Sequence, residues 1–247
     1  MSGHSKWSSI KHQKGVADAR RGQLFTKLTR EIIVAVREAG PSPDSNFRLR
    51  LAVQKARDAN MPLDNIERAI KRGSGDTEGA TLTELTLEGY GPAGVAILVQ
   101  ALTDNRNRTL SDVRNIFSRG GGNMGEAGCV AWLFDSRGLI MIDKEGQDSE
   151  EIELLAIDAG ADDVVEEEDH IEIYTRPEDF EAVREALDNA KIPVSSAEVS
   201  LMPKTSVELE EKQAVQTLRL MNKLEEHDDV QSVVSNAEFS DEVLEQV

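Results

Sequence analysis

The sequence predicts an α+β protein, and three observations predict it. Apolar residues in the first 75 positions recur at three- and four-residue intervals, the period of amphipathic helices. Beyond residue 82, short alternating or continuous apolar runs take over, as in strands. From Gly138 the runs follow the order β-α-β-β-α-β, the ferredoxin-like signature. The expected architecture is an N-terminal three-helix domain followed by two ferredoxin-like α+β domains, one inserted in the other.

Residues 18–40 form the first predicted helix. Leu24, Leu28, Ile32, Val36 and Ala39 make its apolar stripe, flanked by Phe25 and Ile33, and Gly40-Pro41 stops it. A second helix runs from about Ser45 to Ala59 with Phe47, Leu51, Ala52 and Ala56 on one face. Pro62 suits the first position of a third, which carries Ile66, Ala69 and Ile70 to Gly73. "GSGDTEG" (73–79) is a polar linker. Strands "LTELTLEGYG" and "VAILVQALT" follow, then helix "NRTLSDVRNIFSRG", with Leu110, Val113, Ile116 and Phe117 inward, and a strand "CVAWLF". Next comes the ferredoxin-like stretch, from "LIMID" to "SAEVSLMP". A tail of one helix and one strand, "EEKQAVQTLRLMNKLEEH" and "VQSVVSNAEF", completes the sheet begun before the insertion. The expected domains are 1–77 (basic arm and helices), 78–135 with 204–247 (the interrupted α+β domain) and 136–203 (the inserted one).

Composition narrows the class. At 247 residues, 39% hydrophobic and 30% charged, the chain is long enough to bury real cores and too apolar to be disordered. No run is apolar enough to span a bilayer. The basic start lacks both the apolar stretch of a secretory signal and the long Arg-rich pattern of a transit peptide. A lone Cys129 forbids an intrachain disulfide and points to a reducing cytoplasm.

Charge is the strongest functional signal. The formal net charge is -18, yet residues 1–72 hold 15 Lys and Arg against 7 Asp and Glu, a net of +8. The remaining residues hold 13 against 39, a net of -26. Such asymmetry directs the basic end to a polyanion. The opening arm carries His4, Lys6, Trp7, Lys11, His12 and Lys14 with no acid before Asp18, and Arg20, Arg21, Lys27 and Arg30 extend the run into the first helix. Trp7 has two readings, a platform for an unpaired base or an anchor pinning the arm to the helices. "DNRNRT" adds Asn105, Arg106, Asn107 and Arg108 at a helix start, donors suited to phosphate, with Asp104 as a potential cap. These fourteen residues are the candidate nucleic-acid contacts.

Other motifs exclude more than they assign. "GYGPAG" matches G-x-G-x-x-G, but Pro92 interrupts it and a strand follows, so a tight turn is expected and not a dinucleotide site. "RGGGNMGEAG" (119–128) lacks the G-K-[ST] ending of a phosphate loop. It reads either as a flexible connection or as a mobile loop that lets a ligand or RNA approach the backbone. The four histidines match no zinc spacing, Cys129 has no cysteine partner, and no nucleophile, base and orienting group assemble. Paired carboxylates such as "DDVVEEED" are expected by chance among 46 acids. The expectation is a protein with no enzymatic activity, cofactor, metal, membrane or small-molecule substrate.

"GHSKW", "KHQK" and "RGQLFTK", then "EGYGPAGVA", "DNRNRT" and "GGNMGEAGCVAWLF", then "SAEVSLMP" and "DDVQSVVSNAEFSDE", resemble the YebC family in order and along essentially the whole chain. That family includes the translational activator of mitochondrial cytochrome c oxidase. "NFRLR" (46–50) departs from it, with Phe47 where members often have Pro. The resemblance implies three domains, helical first, and a cytoplasmic or organellar regulator of gene expression. Members are described as transcriptional regulators that bind DNA, or as translation factors acting on ribosomes, particularly those stalled at proline-rich stretches. Physics favours the second. A basic arm suits irregular ribosomal RNA, an acidic body suits basic ribosomal proteins and not a duplex, and the loop with Pro41 and Pro43 leaves no clear helix-turn-helix. The expectation is a cytoplasmic, ribosome-associated translation factor that relieves stalling, with a promoter-binding transcriptional regulator as the alternative.

Overall fold

The computed structural model describes residues 18–75 and 82–245. They begin with three helices, α1 (Asp18–Ala39), α2 (Phe47–Asp58) and α3 (Leu63–Ser74). There follow β1 (Thr83–Tyr90), β2 (Ala96–Thr103), α4 (Arg106–Arg119) and β3 (Asn123–Met124). The middle of the chain gives β4 (Phe134–Asp143), α5 (Ser149–Asp158), β5 (Asp163–Glu166), β6 (His170–Thr175), α6 (Phe180–Asn189) and β7 (Ser196–Pro203). The last stretch gives β8 (Val207–Glu208), α7 (Glu211–Glu225), β9 (Val230–Ser235), β10 (Ala237–Glu238) and α8 (Asp241–Glu245). The chain divides into two compact units, Phe134–Lys204 and the sequence on either side of it. Among the described residues no helix is long and apolar enough to cross a membrane.

The helices pack on aliphatic stripes. Leu28, Ile32, Ile33 and Val36 of α1 meet Leu49, Ala52, Val53 and Ala56 of α2 and Ile66 and Ala69 of α3. The buried face of α2 therefore runs through Leu49 and Val53, whereas the sequence pattern selects Phe47 and Leu51. The cap sets this phase. Asn46 Oδ1 accepts the Leu49 N–H at 3.0 Å, and its Nδ2 donates to the Ala35 and Gly40 carbonyls at 2.7 and 2.8 Å. Phe47 is thereby left at the first helical position, 37% exposed, with the Arg50 guanidinium 5.9 Å from its ring centre. That position tolerates proline, because its N–H has no helical partner.

The interrupted sheet has the order β3-β1-β2-β9, antiparallel throughout. The returning tail does complete it, through β9. β2 is central, and of its residues only Gln100 is exposed, which accounts for the nearly continuous apolar run. Leu85, Leu87, Ile97 and Val99 join Val113 and Phe117 of α4 and Leu218, Met221 and Leu224 of α7 in one core. Gly91-Pro92-Ala93-Gly94 is a tight hairpin turn, with Gly91 N donating to Val95 O at 2.8 Å. In the 134–204 unit the order is β5-β6-β4-β7, again antiparallel, which is the ferredoxin-like order. Ile140 and Ile142 sit opposite Ile173 and Ile171, all fully buried.

The glycine-rich stretch after α4 is bound down. Gly125 N donates to Glu88 O at 2.8 Å, and β3 pairs with the end of β1. At Gly122 a Cβ would collide with the Tyr90 carbonyl oxygen, so only glycine fits. The Glu88 carboxylate, 5% exposed, accepts the N–H groups of Gly128 at 2.6 Å and of Val130 and Ala131 at 2.7 Å. Burial alone would raise this carboxyl, and the three backbone donors outweigh it and hold it below the ordinary glutamate range. The same capture explains why "CVAWLF" is not a strand. Its leading donors are spent on Glu88, Ala131–Leu133 forms a single 3-10 turn, and extended structure starts at Phe134. Glu88→Gln should cost about 1–3 kcal/mol, since one amide hydrogen would face N–H donors. Hydrogen exchange should accelerate at residues 128–131 and not in α2; unchanged exchange there would remove Glu88 from this role.

Candidate nucleic-acid interface

The candidate cations fall into three groups. His4, Lys6, Trp7, Lys11, His12 and Lys14 lie outside the described residues. Arg20 lies in the first turn of α1, and Arg21 next to it is exposed. Arg106 and Asn107 are exposed in the first turn of α4. Lys27, Arg30, Asn105 and Arg108 are engaged within the protein.

Two of the last group, Arg30 and Arg108, meet at Asp229, which is 1% exposed at the entry to β9. Its Oδ1 accepts from Arg30 Nη1 at 3.0 Å. Its Oδ2 accepts from Arg108 Nη2 at 2.9 Å, Thr109 Oγ1 at 2.7 Å and Thr103 Oγ1 at 3.2 Å. Its carbonyl takes the Leu102 N–H at 2.8 Å, tying β9 to β2. Arg30 also donates to Asp228 O at 2.7 Å, and Lys27 Nζ to Glu225 O at 2.5 Å, at the C-terminal end of α7 where carbonyls lack helical partners. Arg30 and Lys27 stand one turn apart on α1, so one helix face fastens to the α7–β9 corner.

The turn before α4 is built for the same purpose. Asn105, not Asp104, caps α4, its Oδ1 accepting Arg108 N at 3.1 Å. Asp104 instead pairs with the Arg108 guanidinium at 2.8 Å. Lys27, Arg30 and Arg108 are thus not bare phosphate donors, because each already holds an acceptor of this protein. The Arg108 side chain is still 47% exposed and that of Arg30 24%, so each is partly open to solvent.

Sequence patterns do not single out Asp229 or Glu88. Asp229 stands in "EEHDDV", one acid in a run of acids, and nothing in that run distinguishes it. Among the described residues no group of three or more His, Cys, Asp or Glu is placed to hold a metal ion.

Burial would raise the Asp229 carboxyl, but hydrogen bonds from Arg108 and Thr109 and the charges of Arg108 and Arg30 hold it below the ordinary aspartate value of 3.8. Its contribution to stability is therefore complete above that value and is lost as pH falls through the lower folded one. Asp229→Asn should destabilise the protein at neutral pH by about 2 kcal/mol, leaving Arg30 and Arg108 without their counter-charge. It should also flatten the acid limb of the stability–pH curve, measured by urea unfolding; an acid limb identical to that of the parent would contradict this assignment.

A family model described as the TACO1/YebC protein N-terminal domain matches residues 5–76, and one described as the TACO1/YebC second and third domain matches residues 82–237. A probable transcriptional regulatory protein of Dehalococcoides mccartyi is 57% identical over 99% of this chain and 98% of its own length. One from Geobacter sulfurreducens is 53% identical over the full length of both. The crystal structure of a conserved hypothetical protein from Aquifex aeolicus superposes with a TM-score of 0.85 at 47% identity, covering 95% of this chain and 97% of that one. The two family models together match most of the chain and these relatives match nearly all of it, and the chain belongs to the YebC/TACO1 family.

Proposed function

We propose that this protein is a non-enzymatic, nucleic-acid-binding regulator of gene expression that works as a ribosome-associated translation factor, relieving stalling such as that at proline-rich stretches. The observation that carries this reading is the charge division. Residues 1–72 are net +8 and the rest is net -26. A basic segment of this kind recognises phosphate without reading sequence. An acidic body of this size repels a bare duplex, whose charge is continuous, and suits a particle that offers RNA beside basic proteins. The 134–204 unit is the extreme case, with 21 Asp and Glu against 6 Lys and Arg. The contacts we assign are His4, Lys6, Trp7, Lys11, His12 and Lys14 of the arm, Arg20 and Arg21 at the start of α1, and Arg106 and Asn107 at the start of α4. The solvent-facing parts of Lys27, Arg30 and Arg108 add to them, with Asn105 fixing the turn.

The second reading is a DNA-binding transcriptional regulator acting at promoters. It is favoured by the relatives' description as probable transcriptional regulatory proteins.

Neutralising Lys6, Lys11, Lys14, Arg20 and Arg21 to Gln separates the readings. Co-sedimentation with ribosomes near physiological salt should weaken at least about tenfold, with thermal unfolding unchanged. The salt dependence of binding should become shallower, by about 0.7 to 0.9 for every phosphate that the variant leaves un-neutralised. Duplex DNA should bind weakly and without sequence preference. Undiminished ribosome binding by the variant, or tight sequence-dependent DNA binding without ribosome association, would overturn the proposal.

A further inference from the structure

A cleft of about 450 Å³ opens beside α1, between it and α3, with the β2–α4 turn at one side. Its volume is within the range of small-ligand sites. Phe25 and Ile33 form apolar lining, Arg30, Arg37 and Arg72 are its cations, and Asp104 stands at the rim. The helix crossing creates it. Gly73 of α3 lies so close to Val36 of α1 that a Cβ on Gly73 would be 2.7 Å from Val36 Cβ. The next residue on α1 and the preceding one on α3 are Arg37 and Arg72, so this close approach brings two guanidinium groups to one cleft.

Their electrostatic state differs from that of the other cations around them. Arg30 is held by Asp229, and Arg48 by Glu38 and Glu84. Asp104, the acid at the rim, is taken by Arg108 at 2.8 Å. Arg37 and Arg72 are exposed and, among the described residues, form no ion pair or hydrogen bond. In a chain of net charge -18, two arginines lining one cleft with no carboxylate partner among the described residues have the chemistry to receive an anion. The half-buried Phe25 ring in the same cleft supplies a flat apolar surface. A cationic pair beside an aromatic face matches a phosphate joined to an unstacked base.

We propose that this cleft holds one unpaired nucleotide of a single-stranded RNA, its phosphate on Arg37 and Arg72 and its base against Phe25. The inference rests on the RNA-directed reading above and locates a contact that the basic arm does not supply. A paired base cannot enter, so the cleft makes the protein distinguish single-stranded from double-stranded RNA, whereas the arm's charges treat the two alike.

The test uses the full-length protein and fluorescence anisotropy with a labelled oligouridylate and an RNA hairpin duplex of equal length. Arg37→Gln with Arg72→Gln should weaken oligouridylate binding about tenfold and duplex binding no more than about twofold. Phe25→Leu, which keeps an apolar side chain against the helix core, should weaken only the oligouridylate. Unchanged oligouridylate affinity in the double variant, or equal losses on both RNAs, would overturn the cleft assignment while leaving the arm's role intact. If the parent binds neither RNA nor ribosomes, the RNA-directed reading itself fails, and the cleft assignment with it. Uridine monophosphate, titrated in parallel, should bind far more weakly than the oligonucleotide; equal affinity would make the ligand a free nucleotide and overturn the strand assignment.

Discussion

One buried carboxylate organises the junction on which the proposed interface stands. Asp229 accepts from Arg30 on α1, from Arg108 and Thr109 on α4 and from Thr103 at the end of β2, while its backbone closes the ladder between β2 and β9. Without a partner such a charge is costly to bury, so the four donors are obligatory to each other's placement. The consequence is geometric. The basic first helix is set against the α7–β9 corner, and the start of α4, with its second set of cations, is set beside it. Arg30 and Arg108, distant in sequence, thereby meet at one carboxylate of one unit.

Much of the architecture is legible in the sequence, because it rests on periodicity. The stripe of α1, the unbroken apolar run of β2 and the β-α-β-β-α-β order after Gly138 each reflect a burial pattern that repeats. Sequence reading fails where a single side chain overrides its neighbourhood. Asn46 fixes the phase of α2 and turns Phe47 outward. Glu88 takes the backbone donors that would have extended "CVAWLF" as a strand, and with them it binds down a glycine-rich loop whose composition suggests free movement. Neither effect has a period, and each depends on a partner remote in sequence.

The candidate site is legible in a different sense. Local charge counting identifies the cations, but not which of them the protein uses on itself. Lys27, Arg30 and Arg108 reach carbonyls and a carboxylate some 120 to 200 residues away, separations that no local pattern reports. Arg37 and Arg72 escape local reading for the complementary reason. In the sequence they are isolated arginines on separate helices, and only the close crossing at Gly73 makes them neighbours. The charge division between the basic beginning and the acidic remainder has a simple physical use. In the proposed function the basic beginning attracts phosphate, and the acidic remainder disfavours non-specific association with nucleic acid.

In the proposed function the basic N-terminal segment faces RNA and the acidic 134–204 unit does not. Photo-crosslinking of the intact protein to ribosomes, with peptides and nucleotides identified by mass spectrometry, would map which segments touch RNA. RNA crosslinks should fall within residues 1–75 and around residues 105–108, and the acidic unit should crosslink to protein alone. RNA crosslinks concentrated in residues 134–204, with none in the first 75, would contradict it.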